Sequence, residues 1–284
     1  MEIRLLGEQI GAEITGVDVT SMDSSTFARI YRAWLDYNVI VVRDQALAPQ
    51  ELLRYSARFG GLTTHIAEGT RHPDYPEILV LGTNKFGPDG KLIRDVYMRG
   101  ADSFHTDGTF MQEPFKATQL YALAIPSRGG DTYFASMYAA YDALPQALKQ
   151  RLEGRYGVYV YGGRKERLGI KPSSLLTEAV HKAKKPCYHP IFRTHRESGR
   201  KVLFINPLGL LRIEGLEKAE SDATIDELIS YMIQPQGQYT HKWAKGDVVI
   251  WDNRCSYHRA AGDYPPEEDR IHWRVSIRDV PGTH

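Results

Sequence analysis

The chain has 284 residues, 42% apolar and 25% charged, ordinary proportions for a globular protein able to bury a sizeable core. Lys plus Arg is 36 and Asp plus Glu is 35, a formal net charge of +1, which gives no electrostatic case for nucleic acid or an anionic membrane as partner. Two distant cysteines, Cys187 and Cys255, argue against a disulfide framework; the opening MEIRLLGEQI lacks a secretory pattern, and no apolar run approaches the roughly 18 residues of a bilayer span, so a cytoplasmic protein is expected.

Residues 23–37 open with acidic and hydroxyl residues and carry Phe27, Ile30, Tyr31 and Trp34 at helical spacing, which predicts a helix. The β-branched run Val39 to Val42 predicts a buried strand. Pro49 to Phe59 reads as a second helix, stopped by Gly60-Gly61. Ile78 to Leu81 is a strand candidate, and polar, glycine-bearing residues 84–102 read as a long loop placed to act as a lid. Residues 117–125 read as strand, and 137–152 as a helix that Pro145 must break or restart. Tyr156, Tyr159 and Tyr161 suit a half-buried strand, and basic, irregular 162–185 is a second lid loop. Val202 to Ile205, Val248 to Trp251 and the late IHWRVSI segment read as strands, with a helix over 217–233. There is no internal repeat, low-complexity tract or clear linker, so one domain over 1–284 is expected. Many short strands without regular strand–helix alternation point to a mainly β protein with inserted helices, built on a double-stranded β-helix of jelly-roll, cupin-like type.

The chemistry begins at Ser103-Phe-His-Thr-Asp-Gly-Thr-Phe110. In an extended segment His105 and Asp107, two apart, point to one face. An imidazole and a carboxylate there need one further imidazole to make the facial triad of non-haem iron(II) oxygenases. Asp247-Val-Val-Ile-Trp-Asp-Asn-Arg-Cys-Ser-Tyr-His258 brings His258 to the end of an apolar strand, as that third ligand. Arg270 and Arg274 share a face if extended, and two arginines projecting into an apolar cavity need anions. The same triad could instead hold zinc and activate water, or mark a non-catalytic binding module. The paired arginines count against the hydrolase, and an intact triad beside them counts against the binding module.

The other histidines have plainer readings. His189 and His195 read as turn residues bonding backbone, His241 and His272 as half-buried strand positions, His72 and His181 as surface, and His284 as terminal. Arg254 is expected to pair with Asp252 or a loop acid, and Asn253 to form a turn. The alternative reading of Arg274 is the buried partner of an acidic group.

Taken together, the motifs resemble the taurine dioxygenase and 2,4-dichlorophenoxyacetate dioxygenase family of iron(II)/2-oxoglutarate enzymes over nearly the whole chain. The resemblance is carried by Gly11-Ala-Glu-Ile-Thr-Gly-Val-Asp18, His105-Thr-Asp-Gly-Thr-Phe110, Gly129-Gly-Asp-Thr132, His189-Pro-Ile-Phe-Arg-Thr-His195, Leu203-Phe-Ile-Asn206 and Trp251-Asp-Asn-Arg-Cys-Ser-Tyr-His258. It implies Fe(II), 2-oxoglutarate and O2 as reactants, with His105, Asp107 and His258 as iron ligands. It also implies that Arg270 and Thr132 hold the distal carboxylate of 2-oxoglutarate, and that Arg274 and, more loosely, His65 meet an anionic substrate. The expected reaction hydroxylates a small carboxylate or sulfonate, with room for an aryl group. Hydroxylation next to a heteroatom would then break a C–O, C–S or C–N bond. Family members often form dimers or tetramers, so a homo-oligomer is expected. The stretch between Thr83 and His105 is longer than in the taurine enzyme, which leaves the substrate open, and a taurine-type alkylsulfonate dioxygenase is the alternative reading.

Overall fold

The run Val39–Val42 is buried along its whole length because it lies inside a sheet that is covered on both faces. Val39 and Val41 point into one apolar cluster, Ile40 and Val42 into another, as the period-2 geometry of a strand requires. Val248–Asp252 behaves alike: Val249 and Trp251 face the first cluster, Val248 and Ile250 the second. Continuous apolar runs here therefore mark doubly covered strands.

The computed structural model describes residues 1–64, 70–82, 85–86, 92–93, 103–160, 185–265 and 267–279. The N-terminal part comprises β1 (Glu2–Leu5), β2 (Ala12–Thr15), α1 (Ser24–Tyr37), β3 (Val39–Val42), α2 (Pro49–Ala57), β4 (Gly61–Thr63), β5 (Ile78–Leu81), β6 (Lys85–Phe86) and β7 (Leu92–Ile93). Then come β8 (Ala117–Ala124), β9 (Thr132–Ser136), α3 (Met137–Asp142), α4 (Gln146–Leu152), β10 (Tyr156–Tyr159), β11 (Cys187–Pro190), β12 (Phe192–Thr194), β13 (Lys201–Leu203) and β14 (Leu210–Ile213). The last part holds α5 (Lys218–Ser230), β15 (Gln238–His241), β16 (Val248–Asp252), β17 (Ser256–Ala260) and β18 (Ile271–Arg278).

The major sheet runs β1-β2-β3-β16-β8-β18-β4, with β5 also paired to β18. A smaller sheet, β15-β9-β17, packs against it through Phe134 and Tyr239, which meet Leu120, Val249 and Trp251. Helices α1 and α2 cover the outer face of the major sheet with Ile30, Trp34, Leu52 and Tyr55. The result is the expected double-sheeted, jelly-roll core with helices added outside.

Local chemistry explains the helix ends. Asp23 caps α1 by accepting from the Thr26 N–H at 2.7 Å, and Asn38 closes it in the left-handed region at φ 63°, its N–H reaching the Trp34 carbonyl. Pro145 divides the predicted 137–152 helix into α3 and α4, because a proline cannot donate within a helix. The 84–102 segment, read as an unbroken loop, instead contains the antiparallel pair β6–β7; the Pro88-Asp-Gly90 between them is a hairpin signal in the sequence. The rest of that segment, His65, His181, His284, Tyr161 and 162–184 lie outside the described residues.

A buried charge network ties the outer core together. Arg254 grips Asp252 with two hydrogen bonds, at 2.8 and 2.6 Å, and donates to Glu197 at 2.7 Å; Tyr31 on α1 donates to the same Glu197 at 2.7 Å. Burial alone would raise the Asp252 carboxyl, but Arg254 holds it well below the carboxylate range. The local pairing expected of Arg254 is thus present. His241 and His272, read as half-buried, are fully buried, because they face the space between the two sheets.

Candidate metal centre

His258 sits on β17, which pairs with β9 so that His258 faces Phe134 in register. The 103–107 segment joins this strand edge through one isolated bridge. The His105 N–H donates to the His258 carbonyl at 3.0 Å and the His258 N–H to the His105 carbonyl at 2.8 Å. This exchange sets the two imidazoles side by side, ring centroids 4.2 Å apart. Asp107 does not continue an extended strand; it opens a turn that spans 107–110. Gly108, at φ 80°, allows that turn, and a side chain there would also strike Phe115. The turn swings the Asp107 carboxylate back toward the imidazoles, with Oδ2 3.6 Å from His258 Nε2. One ligand atom from each of His105, Asp107 and His258 lies within 4.8 Å of the others.

Neighbouring groups prepare these side chains. His105 Nδ1 is 3.1 Å from the Ser103 carbonyl, so Nδ1 carries the hydrogen and Nε2 is left as a bare donor. Thr118 on β8 donates to Asp107 Oδ2 at 2.7 Å, and Arg274 on β18 reaches Oδ1 at 2.9 Å. Burial opposes the Asp107 charge, but Arg274 and the two imidazoles hold the carboxyl far below its ordinary range. Burial pushes both imidazoles down, toward the neutral form that a metal needs. The buried Nδ1 of His258 has no hydrogen-bond partner among the described residues. Two neutral imidazoles and an ionised carboxylate, converging from two chain segments, fit a divalent first-row metal.

A second convergent group, His195, Asp252 and Cys255, is differently occupied. Arg254 saturates Asp252, and His195 Nε2 lies 3.1 Å from that carboxylate while its Nδ1 accepts from the Ser198 N–H. Burial pushes the Cys255 thiol well up, so this cluster is structural. His189 donates to the Thr109 carbonyl at 2.9 Å, the backbone role expected of it.

Arg270 stands one residue before β18, beside an irregularity between Ile271 and His272. Its Nε donates to the Gly130 carbonyl at 2.9 Å, and Nη1 lies 3.5 Å from His272 Nδ1. A side chain at Gly130, which has φ 75°, would strike Arg270 Cδ and Nε, so the glycine there makes room for the Arg270 side chain. Among the described residues no carboxylate pairs with Arg270, and burial pulls its pKa down to about 10. Thr132 opens β9 nearby and is buried, its hydroxyl accepting from Trp243 Nε1 at 3.0 Å. Arg274 meets Asp107, and its Nε is buried without a partner among the described residues. A cavity of about 210 Å³ adjoins the ligands, lined by Thr109, Phe110, Val160, Asn206 and Leu208 beside them. Thr118 and Trp243 were not singled out from sequence, and Asn206 entered only as the end of a motif with no role. Thr118 was legible in principle, as a hydroxyl on the inward face of an apolar strand.

Two imidazoles and a carboxylate that converge in a double-sheeted core, with a buried guanidinium that pairs with no carboxylate among the described residues just ahead of the strand carrying Arg274, are the parts of a 2-oxo-acid-dependent non-haem oxygenase. Comparison with known proteins agrees. The profile of the "Taurine catabolism dioxygenase TauD, TfdA family" matches residues 2–276, and the chain belongs to that family. It is 32% identical to an (S)-phenoxypropionate/alpha-ketoglutarate-dioxygenase of Sphingobium herbicidovorans, over 99% of this chain and 96% of the relative. It is 34% identical to an alpha-ketoglutarate-dependent 2,4-dichlorophenoxyacetate dioxygenase of Cupriavidus pinatubonensis, over 87% and 88%. Among solved structures, AAD-2 in complex with Mn(II) and N-oxalylglycine superposes with a TM-score of 0.81 at 25% identity, covering 100% of this chain and 98% of that one. A taurine dioxygenase from Burkholderia xenovorans gives 0.80 at 28%, covering 98% and 89%. The protein is thus a 2-oxoglutarate-dependent dioxygenase using Fe(II) and O2.

Proposed function

We propose that this dioxygenase hydroxylates a small organic anion, a carboxylate or sulfonate with room for an aryl group. Where the new hydroxyl lies beside oxygen, sulfur or nitrogen, the product then breaks that bond. The overall change is R–H + O2 + 2-oxoglutarate → R–OH + succinate + CO2. The observation that carries the substrate class is Arg274: a largely buried guanidinium on a proposed metal ligand, with its Nε lacking a partner among the described residues. The relatives named for phenoxypropionate and 2,4-dichlorophenoxyacetate support an acidic substrate, and the cavity lined by Phe110, Val160 and Leu208 suits an apolar body behind the anion.

In this reading His105, Asp107 and His258 hold Fe(II), which when bound supplies the redox chemistry coupling decarboxylation to hydroxylation. Thr118 and Arg274 keep the Asp107 carboxylate ionised and aimed. Arg270 binds and orients the distal carboxylate of 2-oxoglutarate, and Thr132 adds a hydroxyl. Arg274 and His65 receive the substrate anion. The whole chain acts as one domain, with 84–102 and 162–185 as lids over the site. Cytoplasmic residence and a dimeric or tetrameric assembly belong to the same reading, supported by the family resemblance.

A panel of phenoxy carboxylates, alkyl sulfonates and alkyl sulfates, read by succinate release and product analysis with Fe(II), tests it. At least one anion should raise succinate release well above the substrate-free rate and yield a hydroxylated or cleaved product. Stimulation by neutral analogues but by no anion would overturn the substrate class.

A further inference from the structure

Trp243 lies between β15 and β16, beside Thr132, His272 and Arg270. Its Nε1 donates to Thr132 Oγ1 at 3.0 Å. Its ring stands edge-on to His272, with centroids 4.4 Å apart at 72°, and to His241 at 4.4 Å and 88°. The Arg270 guanidinium carbon lies 5.9 Å from the same ring. The turn is itself pinned, since Asp247 accepts from the Ala244 N–H at 2.8 Å and from Arg43 at 2.6 Å. The indole is therefore wedged between two buried imidazoles on a braced loop.

We infer that Trp243 is a positioning residue for the carboxylate pocket of Arg270 and Thr132, acting through the Thr132 hydroxyl. The inference rests on the reading of that pocket as the site for the distal carboxylate of 2-oxoglutarate. A hydroxyl has one hydrogen to give and can accept two, whereas an indole N–H can only donate. The Trp243 bond therefore fixes Thr132 Oγ1 as the acceptor on that side and leaves its hydrogen for an anion. Without the indole the hydroxyl is free to turn its hydrogen to a backbone carbonyl and present a lone pair to the carboxylate, which repels it. On the other side His272 can accept from Arg270 only as the Nε2–H tautomer, and that Nε2 has no partner among the described residues. The Trp243 ring packs against this imidazole and restricts its tilt, and with it the direction of Arg270.

The test uses Mn(II)-loaded protein and calorimetric titration, so turnover is not needed. The probes are N-oxalylglycine, which carries the distal carboxylate, and oxamate, the same oxalyl amide without it. Trp243→Phe keeps the ring and removes the N–H. It should weaken N-oxalylglycine about 3- to 10-fold, the loss of one neutral hydrogen bond, and leave oxamate within about twofold. In a Thr132→Val background the same change should add nothing, because the hydroxyl it acts through is gone. Equal weakening of both probes, an unchanged N-oxalylglycine affinity, or a full additional loss in the Thr132→Val background would each overturn the inference. Arg270→Ala serves as the reference. If it spares N-oxalylglycine, the carboxylate reading of the pocket fails and the role of Trp243 fails with it. If it weakens N-oxalylglycine strongly while Trp243→Phe does not, only the role of Trp243 fails.

Discussion

His105 and His258 meet through one reciprocal pair of backbone hydrogen bonds, and that single bridge brings their rings to 4.2 Å. The geometry of the proposed metal centre thus depends on a two-bond contact between a short loop and a strand edge, with the side chains following the backbone.

The first expectation concerns metal binding. His105→Ala, Asp107→Ala and His258→Ala should each abolish tight Fe(II) or Mn(II) binding while the fold persists, as read by anaerobic metal titration and thermal melts. Thr118→Val removes the donor to Asp107 Oδ2 and should weaken the metal about 10- to 100-fold. Retained stoichiometric iron with near-normal turnover in any ligand variant would remove that residue from the centre.

For the co-substrate, Arg270→Ala should raise the 2-oxoglutarate requirement far more than the iron requirement. Loss of one partner of a buried charged pair costs roughly 2–5 kcal/mol, or about 30- to 4000-fold in affinity. Arg270→Lys should rescue only in part, because an ammonium lacks the planar fork and cannot keep the Gly130 and His272 contacts together. Unaltered 2-oxoglutarate affinity in Arg270→Ala would refute the assignment.

Arg274 separates substrate from co-substrate. Arg274→Gln should leave substrate-free decarboxylation of 2-oxoglutarate largely intact and weaken the primary substrate, with both activities measured on one preparation. Because Arg274 also touches Asp107, iron affinity is measured in parallel. If decarboxylation collapses together with the coupled reaction while iron stays bound, Arg274 serves the co-substrate rather than the substrate.

Acid stability should carry the mark of His189. Burial holds its pKa at about 4, against the pull of its bond to the Thr109 carbonyl. The unfolded chain takes up this proton near pH 6.5, the folded chain only near 4, so between those values the unfolded state binds more protons and stability falls as pH drops. The contribution is roughly 2–4 kcal/mol across that window. His189→Gln should flatten the decline in denaturant unfolding measured from pH 7 to 4, leaving the share of the other buried histidines. Parallel pH profiles for the two proteins would show that His189 is not the group responsible.

What the sequence made legible followed from physical contrast. Val39–Val42 and Val248–Asp252 stand out because burial on both faces demands unbroken apolar runs. Thr132–Ser136 and Ser256–Ala260 do not, since a glycine-rich turn precedes one and the other opens with Ser, yet they carry Thr132 and His258. His105, Asp107 and His258 were found as a set, although Asp107 reaches the imidazoles from a turn and not from an extended strand. The even spacing of Arg270 and Arg274 was visible; the irregularity after Ile271 and the pairing of Arg274 with Asp107 were not, because both depend on neighbours far away in the chain. Trp243 gave no signal at all, as one aromatic in a polar loop.

The placement of β18 bears on how the molecule is made. This strand lies between β8 and the β4 and β5 strands, inside the major sheet. A nascent chain cannot close that sheet until residues 271–278 have left the ribosome. Contacts of such long sequence separation form slowly, and until they form β8 keeps an open edge, a template for mispairing with other chains. Arg270 and Arg274 arrive with the same segment, so the anion sites assemble at the moment the sheet does. A chain released before Arg270 would lack the strand that joins β8 to β4 and β5, and both of these guanidiniums, and would meet chaperones and proteases before it could meet substrate.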